Sequence, residues 1–293
     1  LKWENRRSCG EELAEAAVNA LIEEAALTPK PGLVDKNNSG AHTDLDFDLM
    51  VTSAVSLKDT FKSIAQFAFQ HPINQSLREE IAAIGRVGEE NMLAATGGVN
   101  THKGAIWALG LLTAAAASLN SNKMSAESIT RAAGTLAQLR DRKAAYQETN
   151  GTRVKRRYGT RGAKEEAQLG FPHVTQFALP VLYKKRQKHI QEEEARLDAL
   201  LAVMSSLDDS CLLHRGGMEA LQITKQQSRA ILKAGGVSAA EGYVQLQELD
   251  EALIKRNASP GGSADMLAAA LLIDKLLHLS SQRSQLMAEK ITT

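Results

Sequence analysis

The sequence is short of the features that most often declare a protein's class. Only two cysteines occur in 293 residues, Cys9 and Cys211, far apart and outside any metal-binding spacing. That excludes a disulfide framework and suggests a reducing compartment. Basic and acidic residues nearly cancel, leaving a net charge of +1, so no global field draws nucleic acid. No apolar run reaches membrane-spanning length, and Ile106 to Ala117 is too short. The opening LKWENRRSCGEE is charged and lacks the apolar core of a secretory signal, so the cytoplasm is expected. Aromatics make up only 4% of the chain, and no run of alternating β-branched residues suggests a sheet. The G-x-x-x-x-G-K-[ST] loop, a strand-flanked G-x-G-x-x-G, G-x-S-x-G and H-E-x-x-H are all missing, so the common nucleotide and hydrolase folds are not indicated.

What is present is helical. Leu13, Ala17, Leu21 and Ala25 form an apolar stripe, joined by Val18 and Ile22, and alanine-rich segments recur. An all-α fold follows, as one catalytic domain over 1–293 with a tail fraying from about 280. The spacing predicts helices over 10–27, 45–69, 77–95, 103–119, 125–145, 164–188, 192–207, 217–233, 239–256 and 264–279. Ser8-x-x-Glu11, Ser76-x-x-Glu79 and Ser238-x-x-Glu241 each fit a capping box, and Gly235-Gly236 fits a helix end.

The helices are ordinary; four junctions between them are not. In ATGGVNTHKG (95–104), Gly97 and Gly98 let backbone approach a ligand, and Asn100, Thr101, His102 and Lys103 add hydrogen-bonding and cationic groups. In TPKPGLVD, two prolines hold Lys30 on a stiff stretch, suited either to a phosphate or to an exposed helix terminator. In GAHTDLD, His42, Asp44 and Asp46 alternate, so on extended chain they share a side. They either hold a hard cation with phosphate oxygens or simply complement the following helix N-terminus. DDSCLLHRGG brings Arg215 with Gly216 and Gly217, a guanidinium fork beside backbone N–H groups. Asp208 and Asp209 there either share a cation or end a helix at the surface. NASPGGSAD offers Gly261, Gly262 and Ser263, a plausible N-cap, with Asp265 in the first turn as dipole complement or metal ligand. A basic run from Arg153 to Arg157, with Arg161 beyond, is read as a solvated loop or a phosphate contact. Four such junctions meeting at one end of a bundle would make a single site.

Taken together and in this order, the junctions resemble the triphosphoribosyl-dephospho-CoA synthase family. The matching motifs are PKPGLVD (29–35), GAHTDLD (40–46), ATGGVNTHKGAIWALGLL (95–112), HRGG (214–217) and SPGGSADML (259–267), which span most of the chain. Trp107 stands where the family usually has Phe. GAKEEAQLGFP (162–172) is similar to the family's G-x-R-G-E-A-x-x-G-[FY]-P, but Lys164 and Glu165 replace Arg and Gly, while Glu166, Gly170, Phe171 and Pro172 fit. The resemblance implies that the 2′-hydroxyl of 3′-dephospho-CoA attacks the ribose C1 of ATP, adenine leaves, and the triphosphate stays intact. The family makes the prosthetic-group precursor of citrate lyase or malonate decarboxylase, so the product would pass to an acyl-carrier-protein transferase. Lys30, Lys103, Arg215, Arg161 and the glycine corners are then the expected triphosphate ligands. Mg²⁺ is expected on Asp44, Asp46 and Asp265, and proton handling among His42, His102 and Glu166. A Mg²⁺-dependent nucleotide N-glycosidic hydrolase and a non-catalytic CoA or acyl-carrier-protein adaptor stand as alternatives.

Overall fold

The computed structural model describes residues 2–121, 124–144 and 148–292, with side chains described through Gln282. Among the described residues there is no strand, and no helix is long and apolar enough to cross a membrane. The helices are α1 (Arg6–Ala26), α2 (Phe47–Ser56), α3 (Lys58–Ala68), α4 (Gln75–Ala95), α5 (Lys103–Leu119), α6 (Ala126–Gln138), α7 (Asn150–Tyr158) and α8 (Ala163–Gln168). A π-helical turn, His173–Ala178, leads into α9 (Leu179–Gln187), followed by α10 (Glu192–Met204), α11 (Ser210–Lys233), α12 (Ala240–Lys255) and α13 (Gly261–Thr292).

α5 is the centre of the molecule. Its sequence, KGAIWALGLLTAAAASL, is apolar on every side beyond the first turn, and a helix apolar all round has to be buried. From Ala105 to Ala117 every residue except Trp107 is buried. Small residues let its neighbours come close: at Gly110 a Cβ would lie 3.3 Å from Ile64. α1, α3, α4, α6 and α13 pack around it. The N-terminal half of α13 is equally buried, from Met266 to Ile273. Each buried leucine on these faces contributes about 2 kcal/mol.

The departures from the predicted helices have local causes. The expected 45–69 helix is two, α2 and α3, because the chain turns at Leu57, whose side chain is fully buried. Apolar residues on both sides of the turn disguised it. The expected 164–188 helix breaks at Gly170 (φ 78°) and Phe171 (φ 55°), where Phe171 swings into the core ahead of Pro172. The basic run is not a loop: it forms α7, of which only Val154 is buried. α6 ends at Gln138, well before the predicted 145, a position outside the described residues. In the described backbone the tail is part of α13, which is helical to Thr292. All three capping boxes were misplaced. Asn5 caps α1 and Asn74 caps α4, each accepting from a backbone N–H three residues on, while α12 starts after Ala239 without a side-chain cap. The Gly235-Gly236 stop is where it was expected, both at positive φ just past α11.

Candidate active site

Three helix N-termini meet at the junction end of the fold. Asp209 is buried and caps α11, its Oδ1 accepting from the N–H of Cys211 at 2.9 Å and of Leu212 at 3.3 Å. The same carboxylate reaches the start of α13, accepting from Gly262 N–H at 3.3 Å and from Ser263 N–H at 2.7 Å and Oγ at 2.9 Å. Asp209 is therefore neither a surface helix end nor a shared cation ligand, and burial pushes its carboxyl up despite those donors. Ser263 is not the N-cap of the last helix, which already begins at Gly261; Ser263 is the partner of Asp209. α5 joins through Gly104, where a Cβ would lie 2.0 Å from Oδ2 of Asp265. Only glycine admits that carboxylate against the first turn of α5.

Behind the meeting point is a buried ion pair. Lys30 Nζ donates to Oε1 of Glu24 at 2.6 Å and to its backbone carbonyl at 2.7 Å, and both residues are buried. Lys30 is thus not an exposed terminator: it is buried and its ammonium is paired with Glu24. The prolines do fix it, and Asp35 completes the turn by accepting from the Lys30 N–H at 2.9 Å. His102 is buried nearby, and burial together with the Lys30 charge lowers it to about 4, so it is neutral near pH 7. Its Nδ1 hydrogen-bonds Ser53 Oγ at 2.7 Å, and Ser53 also bonds the Thr101 hydroxyl. Its Nε2 is buried with no partner. A neutral imidazole with one nitrogen fixed and the other free is prepared for a ligand. Asp265 is pushed well above the usual carboxylate range by burial, with the Glu24 and Asp209 carboxylates adding to it.

The rim is basic and open. Lys103, half-buried, pairs with Glu89 of α4, and Asn100 accepts weakly from the Lys103 N–H at 3.3 Å. Gly97 and Gly98 are exposed at φ 64° and 91°, and a Cβ on either would meet nothing within 4 Å. The Cβ side of each is open, while the Gly98 N–H is given to the Leu93 carbonyl at 2.7 Å. Arg215 ties two junctions together. It donates from Nη2 to the Ala41 carbonyl at 2.6 Å, from Nε to the Asn257 carbonyl at 2.9 Å, and from Nη1 to Nδ1 of His42 at 2.9 Å. Burial and the Arg215 charge lower His42, against the opposing pull of Asp44. α11 kinks at Gly217 (φ 68°, ψ −166°), where a Cβ would lie 3.6 Å from the Tyr158 hydroxyl. That contact brings α7, and the segment leading to the exposed Arg161, alongside α11. Gly216 is required for packing: a Cβ there would press on Ala220 and Ala258 at 2.5 and 2.8 Å. Gly261 lies against Cys211, where a Cβ would be 3.2 Å from Sγ.

The four junctions do converge, but not every predicted residue comes with them. Asp46 is exposed and is the N-cap of α2, accepting from Leu49 N–H at 2.8 Å, which fills the dipole role. Asp44 is exposed, 3.6 Å from His42 Nδ1. Among the described residues no three His, Cys, Asp or Glu side chains surround a common point, so a metal cage built from protein alone is absent. Glu166 is buried elsewhere, accepting from His173 N–H at 2.9 Å and bonding its Nδ1 at 2.8 Å. No contact among the described residues joins it to His102 or Asp265. Glu24, Ser53 and Glu89 were missed as site residues. Glu24 carried a signal, a carboxylate three residues after Leu21 on the buried stripe of α1. Ser53, one of two serines in the largely apolar α2, carried none.

Comparison with known proteins is direct. The family model described as ATP:dephospho-CoA triphosphoribosyl transferase matches residues 10–284. A protein of Pseudomonas syringae pv. syringae named "Probable 2-(5''-triphosphoribosyl)-3'-dephosphocoenzyme-A synthase" is 51% identical over 278 residues, 94% of this chain and 95% of its own length. Proteins of the same name from Pseudomonas fluorescens Pf-5 and Azotobacter vinelandii are 53% and 49% identical, each over 92% of this chain and 92% and 93% of their own. No solved structure matches the chain.

Proposed function

The chain belongs to the ATP:dephospho-CoA triphosphoribosyl transferase family, and we infer that it joins the triphosphoribosyl group of ATP to the 2′-hydroxyl of 3′-dephospho-CoA, releasing adenine. The bond formed is from that hydroxyl oxygen to ribose C1; the bond broken is from C1 to the purine nitrogen. The hydroxyl loses a proton and adenine gains one. A β-configured donor giving an α-linkage requires inversion, so the displacement is direct, without a covalent enzyme intermediate. The product then suits an acyl-carrier-protein transferase acting downstream.

The observation that carries the residue assignment is the meeting of α5, α11 and α13 at their N-termini beside a buried, neutral His102. Helix N-termini favour phosphate oxygens through free N–H groups and the dipole; Asp209 takes the first N–H groups of α11 and α13, so the first turn of α5 is the one placed to offer them. Lys103, Arg215 and the glycine corner, with Gly97 supplying its N–H and Gly98 leaving room for close approach, form the rest of the triphosphate cradle, with Arg161 at its edge. Charge developing at C1 and on the purine would be met by the buried groups around His102, where fixed dipoles act strongly. His102 serves the leaving adenine through Nε2, while Ser53 and Thr101 set its tautomer from the Nδ1 side. Glu166 takes no part in this assignment.

Asp265 fits a divalent cation: it is a carboxylate crowded by Glu24 and Asp209, with no cation bonded to it among the described residues. Mg²⁺ commonly uses one or two carboxylates plus substrate phosphates, a donor set that needs no protein-only cage. Bound there, it would neutralise triphosphate charge.

The test is to incubate the protein with ATP, Mg²⁺ and dephospho-CoA and to measure free adenine and product mass. Adenine and a product heavier than dephospho-CoA by the triphosphoribosyl group are expected in equal amounts. ADP or AMP without adenine would overturn the reading, and equal adenine without dephospho-CoA would replace it with a hydrolase.

A further inference from the structure

Among the described residues one buried cation is left without a carboxylate partner. Arg78 on α4 is buried, with 6% of its surface exposed. Its Nε has no hydrogen-bond partner, and among the described residues no carboxylate pairs with its guanidinium. The two acids nearest in charge are already engaged: Asp141 with Arg86 at 2.6 Å, and Glu79 with Arg142 at 2.6 Å and Gln75 at 2.7 Å. Burial lowers the Arg78 pKa, but a guanidinium keeps its proton near neutral pH. An unpaired buried charge is costly, and proteins keep one where a ligand completes it.

Its surroundings fit an anion. The guanidinium lies over the Trp107 ring, 5.1 Å from the ring centroid. The contact holds the guanidinium at the ring and leaves its buried Nε–H without an acceptor, as a group that an anion would complete. Trp107 is itself oriented, its Nε1 donating to the Ala163 carbonyl at 3.3 Å at the start of α8. Trp107 follows Lys103 by four residues on α5, so the two share a face about 6 Å apart along the axis. Lys103 reaches Glu89 on α4, and Arg78 reaches Trp107 from the same α4. Lys103 and Arg78 are therefore two cations strung along the α4–α5 seam, one at the proposed triphosphate cradle and one beyond it.

We propose that Arg78, held by Trp107, binds the diphosphate of the acceptor nucleotide, dephospho-CoA. The proposal rests on the transferase reading above. Two nucleotides react at the C1 of one ribose and the 2′-hydroxyl of the other, so their phosphate chains need separate anchors. Lys103, Arg215 and the N-terminus of α5 serve the donor. Arg78 is displaced from that cluster along the seam and supplies the second anchor.

The test compares Arg78→Met and Arg78→Lys with the wild type. For Arg78→Met the KM for dephospho-CoA rises about tenfold or more, as expected for loss of a charge-assisted contact, while the KM for ATP stays within about twofold. Arg78→Lys keeps the charge, loses the fork and falls between. A second readout is direct: in a Trp3→Phe background, Trp107 is the remaining tryptophan, and dephospho-CoA without ATP shifts its fluorescence. That shift is lost in Arg78→Met and kept in part in Arg78→Lys. An unchanged dephospho-CoA KM, a rise confined to ATP, or an equal rise for both would overturn the assignment. So would a dephospho-CoA fluorescence response in Arg78→Met equal to that in the Trp3→Phe parent. A wild-type protein that binds dephospho-CoA at Trp107 but releases no adenine would sink the transferase reading and leave the Arg78 site standing.

Discussion

The two ends of the buried part of α13 treat charge in opposite ways. Toward its middle, Asp274 receives two hydrogen bonds from Arg186, at 2.9 and 2.8 Å, and Arg186 gives two more to Glu192. Lys275 pairs with Glu23 at 2.5 Å, and Arg196 bridges Glu23 and Glu192. Every charge there has a partner. At the N-terminal end, Asp265 has none among the described residues, His102 keeps a bare Nε2, and Arg78 across the α4–α5 seam stands unpaired. The matched network holds helices together; the unmatched groups are arranged for something that the chain does not itself supply.

That contrast can be broken experimentally. The largest effect is expected from Asp265→Asn, which lowers kcat/KM on the order of a hundredfold or more because it removes charge that acts only with substrate bound. Its urea midpoint should hold or rise, since it relieves crowding against Glu24 and Asp209; a large loss of stability would put Asp265 in the structural class. Asp274→Asn is the converse. Breaking a buried pair costs about 3 kcal/mol, read by urea unfolding, with kcat kept within about twofold.

His102 sharpens the comparison through pH. The unfolded histidine takes a proton below about 6.5, the folded one only below about 4. The unfolded state therefore binds more protons in that window, and stability falls as pH drops through it, by about 3 kcal/mol in all. Unfolding curves of the wild type and of His102→Gln at pH 7 and pH 4.5 measure the difference. Equal pH slopes in both would mean that His102 is not held neutral. The smallest effect is Lys103→Ala, a loss of about tenfold in turnover with the fold intact, since Lys103 is half-exposed and already shares its charge with Glu89. Unchanged kinetics would remove Lys103 from the cradle.

How much of this was legible in the sequence depended on whether the cause was local. α5 could be read from its apolar run, and the stop at Gly235-Gly236 from its glycines. α7 could not, because a helix that buries only Val154 leaves no stripe. The capping boxes failed because Asn5 and Asn74, strong caps a few residues upstream, took the role from Ser8 and Ser76. In the site, the four junctions were visible through composition, yet their division of labour was not. Lys30 appeared free because its partner, Glu24, sits on the preceding helix and meets it only after the chain turns back. Asp209 appeared superficial because its donors at Gly262 and Ser263 lie more than fifty residues on. Arg78 needed the three-dimensional list of neighbours before its solitude meant anything.

The carboxylate of Asp209 has one more consequence. The chain leaves it along α11, turns at Gly235-Gly236, returns along α12 and meets it again at Ser263, 54 residues later. The two-helix hairpin is thus a loop with its ends knotted to a single side chain. Length added at the Gly235-Gly236 tip is remote from that knot, whereas a residue inserted beside Asp209 or Ser263 would shear two helix starts at once.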